Sequence, residues 1–364
     1  MKFEQFWRGV AEGRRRGFRN RLLIGILAVA AAPYGELLRL RAWAYATGIL
    51  ASRRLNRPVI SVGNIVVGGT GKTPMTALIA RRLQVQGKRV AVLSRGYGGS
   101  SSGAPRVVSD GKAIFLTPAE CGDEPYLLAK DLPGLMVVIG HDRYEAGKLA
   151  ELELNPDIFI LDDGFQHLGV QRDLNVLLLD SRHPFGNGWT LPAGVLREPR
   201  SAISRADLIV LTRCDGEGKQ LPGAPAGVPV LTARHHLSGI VPLSGGKIQS
   251  FSVLFGEKVL AFAGVADPDR FFSGLAEAGI DVAGSISLPD HAVYDEQSIA
   301  GIRRSFRSTG ATCLVTTTKD AVKLGLRRKQ LGRVWVAQLE MILADPTALE
   351  AKMDSLFQRI GKSA

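Results

Sequence analysis

A glycine-rich stretch followed by lysine and threonine is the part of the sequence best suited to chemistry. It reads SVGNIVVGGTGKTP, and its glycines leave the backbone free to turn N–H groups toward phosphate oxygens. Lys72 can reach the β- and γ-phosphates of a nucleotide, and the Thr73 hydroxyl can ligate Mg²⁺. The glycine that opens the usual motif is replaced by Val66. Although a plain turn between strand and helix remains an alternative, we predict an ATP site made by Gly68, Gly69, Thr70, Gly71, Lys72 and Thr73.

Two adjacent carboxylates follow an apolar stretch further along the chain. In DIFILDDGFQH, Asp162 and Asp163 stand at the carboxyl end of a predicted strand, the edge at which open α/β sheets bind ligands. Carboxylates beside phosphates suit Mg²⁺, a hard cation that prefers oxygen ligands. Ordinary turn chemistry in Asp-Asp-Gly is the alternative. We predict that this pair completes the nucleotide site.

The elements that must position these residues alternate between strand and helix. PVISVGNI predicts a strand before the glycines, and TPMTALIARRLQVQG predicts a helix after them. Similar strand and helix patterns recur as far as ADLIVLTRCD, which favours a mostly parallel sheet covered on both faces. The fold class is therefore α/β, with a phosphate-loop NTPase-like sheet and a second, smaller α/β lobe.

The order of patterns also predicts a division into domains. Residues 1–57 form a basic N-terminal segment, and residues 58–214 form the phosphate-loop domain. Gly and Pro become frequent and periodicity is lost in residues 215–235, which predicts a linker. Residues 236–364 form the second lobe and end in a predicted helix. The stretch ATCLVTTTKD is predicted as one of its strands.

Positive charge is concentrated at the N-terminus. The whole chain carries a net charge of +12, of which residues 1–57 hold +9 from twelve Lys/Arg and three Glu. This confinement argues against nucleic acid as the partner. The uncharged stretch from Leu22 to Gly35 follows the basic leader, a pattern that indicates contact with a membrane.

The uncharged stretch is too short for a full span. Its fourteen residues would rise about 21 Å as a helix, against roughly 30 Å of hydrocarbon, and Pro33 is expected to interrupt it. We predict a helix that lies in the interface of an anionic membrane. A cleaved signal peptide and a buried packing helix are the alternatives.

Six motifs occur together and in order: VGNIVVGGTGKTP, SRGYGG, GDEPYLLA, DDGFQH, LPAGVLREP and TTKDAVKL. With them the chain resembles the tetraacyldisaccharide 4'-kinase family from about Arg39 to Leu324. That resemblance implies transfer of the γ-phosphate of MgATP to the 4'-hydroxyl of a tetraacylated glucosamine disaccharide 1-phosphate. The product would be lipid IVA, a precursor of lipid A in lipopolysaccharide. It also implies an enzyme, expected here as a monomer, at the cytoplasmic face of the inner membrane.

The same resemblance assigns catalytic roles to individual residues. Asp123, in GDEP, matches the base that accepts the proton of the attacking hydroxyl, and His291, in LPDHAVYD, matches its partner. Arg197 and Glu198, in LREP, would lie near the phosphates and the metal. Capping, packing or a surface ion pair would explain each of these residues separately. The implied catalytic residues are Asp123, His291, Lys72 and Arg197, and the implied metal ligands are Thr73, Asp162, Asp163 and Glu198.

Two further stretches have open interpretations. The RGYGG loop from Arg95 to Gly99 could cradle substrate or meet the loop of Asp123, or it could be a structural turn. Lys319 and Asp320 resemble base-reading pairs of nucleotide switches, or they form a solvated charge pair. The alternative function is accordingly a membrane-associated ATPase switch that has no lipid acceptor.

Overall fold

The computed structural model describes residues 7, 9–11, 17–100, 103–214, 220–289 and 292–361. In its first half, the predicted strands and helices occur in the predicted order, with one further strand, Arg106–Asp110, that was not predicted. The strands are β1 (Val59–Gly63), β2 (Val90–Ser94), β3 (Arg106–Asp110), β4 (Met136–Ile139), β5 (Ile158–Asp162), β6 (Leu174–Asp180) and β7 (Leu208–Thr212). The helices are α1 (Phe18–Ala46), α2 (Lys72–Val85), α3 (Pro118–Cys121), α4 (Asp123–Asp131) and α5 (Arg143–Glu153), with a 3-10 helix at Arg200–Arg205.

The second half repeats the α/β pattern. Its strands are β8 (Val230–Pro242), β9 (Lys258–Ala263), β10 (Asp281–Ser287), β11 (Cys313–Thr317) and β12 (Val334–Leu343). Its helices are α6 (Pro268–Glu277), α7 (Glu296–Thr309), α8 (Thr318–Leu324) and α9 (Thr347–Gly361), with 3-10 helices at Phe251–Leu254 and Gly325–Gln330.

All of these strands belong to one sheet. Over the described ranges it has twelve strands in the order β10-β9-β11-β12-β8-β7-β6-β1-β5-β2-β4-β3. Neighbours are parallel except at β3–β4 and β8–β12. The central strands, such as β1 and β5, are buried along their whole length, because helices cover both faces of a parallel sheet. The predicted α/β class with a mostly parallel, phosphate-loop NTPase-like sheet is confirmed.

The strand β8 connects the two halves of the sheet. Its first residues pair in parallel with β7, and the following residues pair antiparallel with β12. Residues 230–235 of the predicted linker lie in this strand. The predicted domain boundaries stay a prediction, and the two lobes share a continuous backbone ladder across them.

The N-terminal helix α1 is longer than the sequence suggested. It runs for 29 residues and continues through Pro33, so the expectation that Pro33 interrupts it was wrong. A proline inside a helix removes one hydrogen bond, and the turns on either side can keep theirs. Among the described residues, α1 is the helix long and apolar enough to cross a membrane by length and composition. The argument from length against a full span therefore does not hold.

The helix α1 meets the rest of the protein only at some of its positions. Ala31 and Gly35 are buried, and the Ala31 carbonyl accepts a hydrogen bond from the Thr190 hydroxyl at 3.0 Å. Phe18 and Val29 are 82% and 78% exposed, which is unusual for large apolar side chains. Part of the helix is therefore an apolar surface that the described residues do not cover.

The TTTKD stretch differs from its prediction as a strand. β11 ends at Thr317, and α8 begins at Thr318. The Thr317 hydroxyl accepts a hydrogen bond from the backbone N–H of Asp320 and so caps the helix. Lys319 and Lys323 consequently lie on a helix at the carboxyl edge of the sheet.

Candidate active site

The predicted phosphate loop lies between β1 and the start of α2. Gly71 has a φ of +83° and directly precedes Lys72, the first residue of the helix. A Cβ on Gly71 would lie 2.6 Å from Met341 Cε and 2.7 Å from His235 Nε2, so a side chain here would be strained by the φ and would have to displace the ends of these two side chains. The loop is thus pressed against residues of β8 and β12.

Hydrogen bonds hold the loop in shape. The Asn64 amide donates to the Thr70 hydroxyl at 2.9 Å, and Thr70 is buried. Arg213, at the end of β7, donates to the Gly69 carbonyl at 2.8 Å and pairs with Asp180 at 2.7 Å. With the loop held in this way, Lys72 and Thr73 occupy the first turn of α2, where helix dipole and free N–H groups favour an anion.

The acidic pair at the end of β5 lies beside this loop, as predicted. Asp163 contacts Lys72 Nζ at 3.5 Å and Arg197 at 2.9 Å. Burial would raise the pKa of Asp163, but the charges of Lys72 and Arg197 outweigh it and lower the pKa. The structure therefore brings Lys72, Asp163 and Arg197 together from three separate motifs.

Asp162 has a different environment from its neighbour. Its side chain is buried and accepts a hydrogen bond from the Thr76 hydroxyl at 3.0 Å. Burial, followed by the negative charges of Glu124 and Asp163, raises the pKa of Asp162 to about 7. An excess of buried negative charge at this position is what a divalent cation would offset.

Glu198 is buried in a separate polar network. Its carboxylate accepts hydrogen bonds from Gln166 at 2.8 Å and from Arg205 at 2.8 Å. In the part of the chain that is described, no group of three or more His, Cys, Asp or Glu side chains could hold a metal ion. The assignment of Glu198 as a metal ligand stays a prediction.

Asp123 begins α4 and faces the second lobe. Its carboxylate lies 3.4 Å from Lys323 Nζ, and the neighbouring Glu124 lies 3.5 Å from Lys319 Nζ. Because Glu124 also acts on the charge of Asp162, the start of α4 belongs to the same polar site as the acidic pair. The predicted partner, His291, lies outside the described residues.

The RGYGG loop packs on the turn that carries Asp123. The φ of Gly122 is +87°, and its backbone lies so close to the Tyr97 carbonyl that a Cβ would collide with it. Gly99 approaches the Glu120 carbonyl in the same way. Of the interpretations left open, this geometry corresponds to contact with the loop of Asp123.

Two polar residues near the site were missed by the sequence reasoning. Arg143, the first residue of α5, is 2% exposed and donates to the carbonyls of Gly140 and His141. Burial lowers its pKa to about 10, although the charges of Asp162 and Asp163 act in the opposite direction. A cation in HDRYEAG looks like an ordinary helix-start residue, so no local signal identifies it.

His235 is the second such residue. It lies on β8, and its buried Nε2 atom faces Gly71 and has no hydrogen-bond partner among the described residues. Burial, together with the charge of Arg213, lowers the pKa of His235 to about 4, so it is neutral at pH 7. Neither its spacing nor its neighbours in the sequence indicate this contact.

Known proteins that resemble the chain share one description. A family model described as "LpxK: Tetraacyldisaccharide-1-P 4'-kinase" matches residues 23–358. Among curated relatives, a tetraacyldisaccharide 4'-kinase of Geobacter metallireducens is 55% identical over 337 residues, which are 93% of this chain and 99% of the relative. The enzyme of the same name from Pelobacter propionicus is 52% identical over 355 residues, 97% of this chain and 98% of the relative.

A solved structure is also similar. It is LpxK from Aquifex aeolicus in complex with ATP, with a TM-score of 0.77 and 34% sequence identity. The match covers 92% of this chain and 99% of the other. The similarity extends through both lobes and is not confined to the phosphate loop.

Proposed function

Since the chain belongs to the tetraacyldisaccharide-1-P 4'-kinase family, we propose a division of catalytic roles among the residues of its cleft. The protein is an ATP-dependent lipid kinase of lipid A biosynthesis, which phosphorylates the 4'-hydroxyl of tetraacyldisaccharide 1-phosphate. The observation that carries our assignment is the cluster at the sheet edge, where Lys72 and Arg197 contact Asp163 and where Glu124, next to Asp123, acts on Asp162.

ATP binds through the phosphate loop in this proposal. Backbone N–H groups of residues 68–73 contact its phosphates at the start of α2, and Lys72 turns from Asp163 toward the β- and γ-phosphates. Arg197, which is part-buried, stabilises charge that develops on the γ-phosphoryl oxygens. Both cations, Lys72 and Arg197, already lie beside Asp163 next to the phosphate loop, so little movement of their side chains is needed when ATP binds.

The acceptor hydroxyl is activated from the other side of the phosphoryl group. Asp123 accepts the proton of the 4'-hydroxyl as its oxygen bonds to the γ-phosphorus. The bond between the γ-phosphorus and the bridging oxygen breaks, and ADP leaves with that electron pair. By resemblance to the family, His291 is the partner that orients Asp123 or tunes its charge.

The residues near the acidic pair fit a magnesium ion. Asp162 is buried beside two further carboxylates, and its pKa is raised first by that burial and then by their negative charges. Thr73, Asp162 and Asp163 would hold the ion. Bound Mg²⁺ would neutralise charge on the β- and γ-phosphates. Both oxygens of Glu198 already bind Gln166 or Arg205, so we assign it a lesser part.

The apolar helix α1 holds the enzyme at its substrate. Enzymes of this family act in the lipid A pathway, and membership in it therefore implies that the protein associates with a membrane. We propose further that α1 lies at the cytoplasmic face of the inner membrane, where ATP is available, with basic residues such as Arg19 and Arg21 against anionic lipid. We propose that the enzyme acts as a monomer.

The test is transfer of label from γ-labelled ATP to the lipid disaccharide in mixed micelles. We expect labelled lipid from the wild-type protein and a loss of at least 100-fold in kcat for Lys72→Ala and Asp123→Ala. Labelled free phosphate without labelled lipid would indicate the ATPase switch. Circular dichroism checks that the Asp123→Ala protein is folded. Near-normal transfer by that folded variant would exclude Asp123 as the base.

A further inference from the structure

Two lysines on α8 lie across the cleft from the first turn of α4. Lys323 Nζ is 3.4 Å from an oxygen of Asp123, and Lys319 Nζ is 3.5 Å from an oxygen of Glu124. The lysines are four residues apart and therefore lie on one face of α8. The second lobe thus presents two cations to the two acidic residues that begin α4.

The contact between Lys323 and Asp123 is the more buried of the two. The side chain of Lys323 is 10% exposed and that of Asp123 is 19% exposed, whereas Glu124 is 43% exposed. Among the described residues the Lys323 ammonium has no hydrogen-bond partner, and it forms an ion pair with the carboxylate of Asp123. A buried ammonium kept without hydrogen bonds is costly, and stability alone does not account for it.

The helix that carries Lys323 is fixed to the second lobe. Asp320 is fully buried, accepts a hydrogen bond from the backbone N–H of Gly264 at 3.0 Å and accepts another from the Thr317 hydroxyl at 2.6 Å. These bonds tie the start of α8 to the ends of β9 and β11. Lys323 therefore has a defined position in the second lobe, and it reaches the first lobe from there.

We propose that Lys323 is a positioning residue that holds the carboxylate of Asp123 ready for the attacking hydroxyl. Asp123 shares the cleft with Glu124, Asp162 and Asp163, and the triphosphate of ATP adds further negative charge. A cation from the opposite lobe opposes this repulsion and restricts the rotamers of the carboxylate. The inference depends on the proposed role of Asp123 as the base.

The experiment compares steady-state kinetics of Lys323→Met with those of the wild-type protein. We expect kcat to fall 10- to 100-fold while KM for ATP changes less than threefold, since the phosphate loop is untouched. The matched control is Arg81→Met, which removes an exposed ion pair between α2 and Glu340 of the second lobe. We expect that variant to keep kcat within twofold.

A double-mutant cycle separates positioning from a general structural role. If Lys323 acts through Asp123, adding Lys323→Met to Asp123→Asn costs less than a further twofold in kcat. An equal fold-loss in both backgrounds would overturn the proposal, as would wild-type kcat in the single variant. Lys323→Gln replaces the Met variant in the cycle if that variant does not fold. Near-normal activity of Asp123→Asn alone would instead refute the assignment of the base.

Discussion

Acidification should weaken the folded protein through His235, the β8 histidine that touches the phosphate loop. Its buried Nε2 atom has no hydrogen-bond partner in the described part of the chain and lies 2.7 Å from the position that a Cβ on Gly71 would take. Burial, aided by the charges of Arg213 and Arg270, lowers its pKa from 6.5 to about 4. The His235 ring therefore binds a proton much more readily in the unfolded chain than in the folded protein.

The sign and size of the effect follow from these two pKa values. Between pH 6.5 and pH 4 the unfolded chain binds a proton at His235 that the folded protein does not, so the stabilising contribution is complete above pH 6.5 and is lost as the pH falls. The difference corresponds to about 3 kcal/mol over the whole interval. Between pH 7.5 and pH 5 it is about 2 kcal/mol.

The assay is urea unfolding followed by tryptophan fluorescence at pH 7.5 and pH 5, without nucleotide. We expect the wild-type protein to lose about 2 kcal/mol more of its free energy of unfolding than His235→Leu, which cannot titrate. His236→Leu makes the same change at the exposed neighbouring position and should keep the wild-type pH dependence. Equal losses in wild-type protein and His235→Leu would refute this reasoning.

Two further predictions concern the phosphate loop and the N-terminal helix. Gly71→Ala would force a side chain toward Met341 and His235 at a φ of +83°. We therefore expect the free energy of unfolding, measured by thermal unfolding, to fall by about 1–3 kcal/mol, and ATP binding, measured by calorimetry, to weaken. Unchanged stability and unchanged ATP affinity would contradict this geometry. Replacing the exposed α1 residues Leu22, Ile26 and Val29 by serine should weaken binding to anionic liposomes at least tenfold in a flotation assay. Leu152→Ser, which changes an even more exposed leucine on α5, is its control and should bind as the wild type does.

The parts of the site that could be predicted are those defined by local chemistry. The glycines before Lys72 and the carboxylates at the end of β5 can be recognised from a few neighbouring residues. The structure brings Lys72 and Asp163 to 3.5 Å from each other. Strands that are buried on both faces, such as β1 and β5, can be recognised in the sequence as runs of apolar residues.

What could not be predicted depends on contacts that are distant in the sequence. β10 is an edge strand whose residues alternate between exposed and half-buried, so it has no hydrophobic signal as strong as that of a central strand. β8 acquires its role by pairing with β7 on one side and β12 on the other. The burial of His235 is set by that pairing and by the approach of the phosphate loop, which no local pattern records.

The helix α1 and the phosphate loop are joined by a short series of contacts. α1 receives the hydrogen bond of Thr190, and Arg41 donates to the carbonyl of Gln166 at 3.2 Å. Arg197 follows Thr190 by seven residues in the chain. Its backbone N–H donates to the Ile65 carbonyl at 2.7 Å, and its side chain binds Asp163. The helix α1, which we propose to lie at the membrane, is therefore hydrogen-bonded to the same loops that surround the phosphates. In that proposal these contacts set the orientation of the cleft relative to the bilayer, so that an acceptor held at the lipid surface meets the γ-phosphate without leaving the membrane.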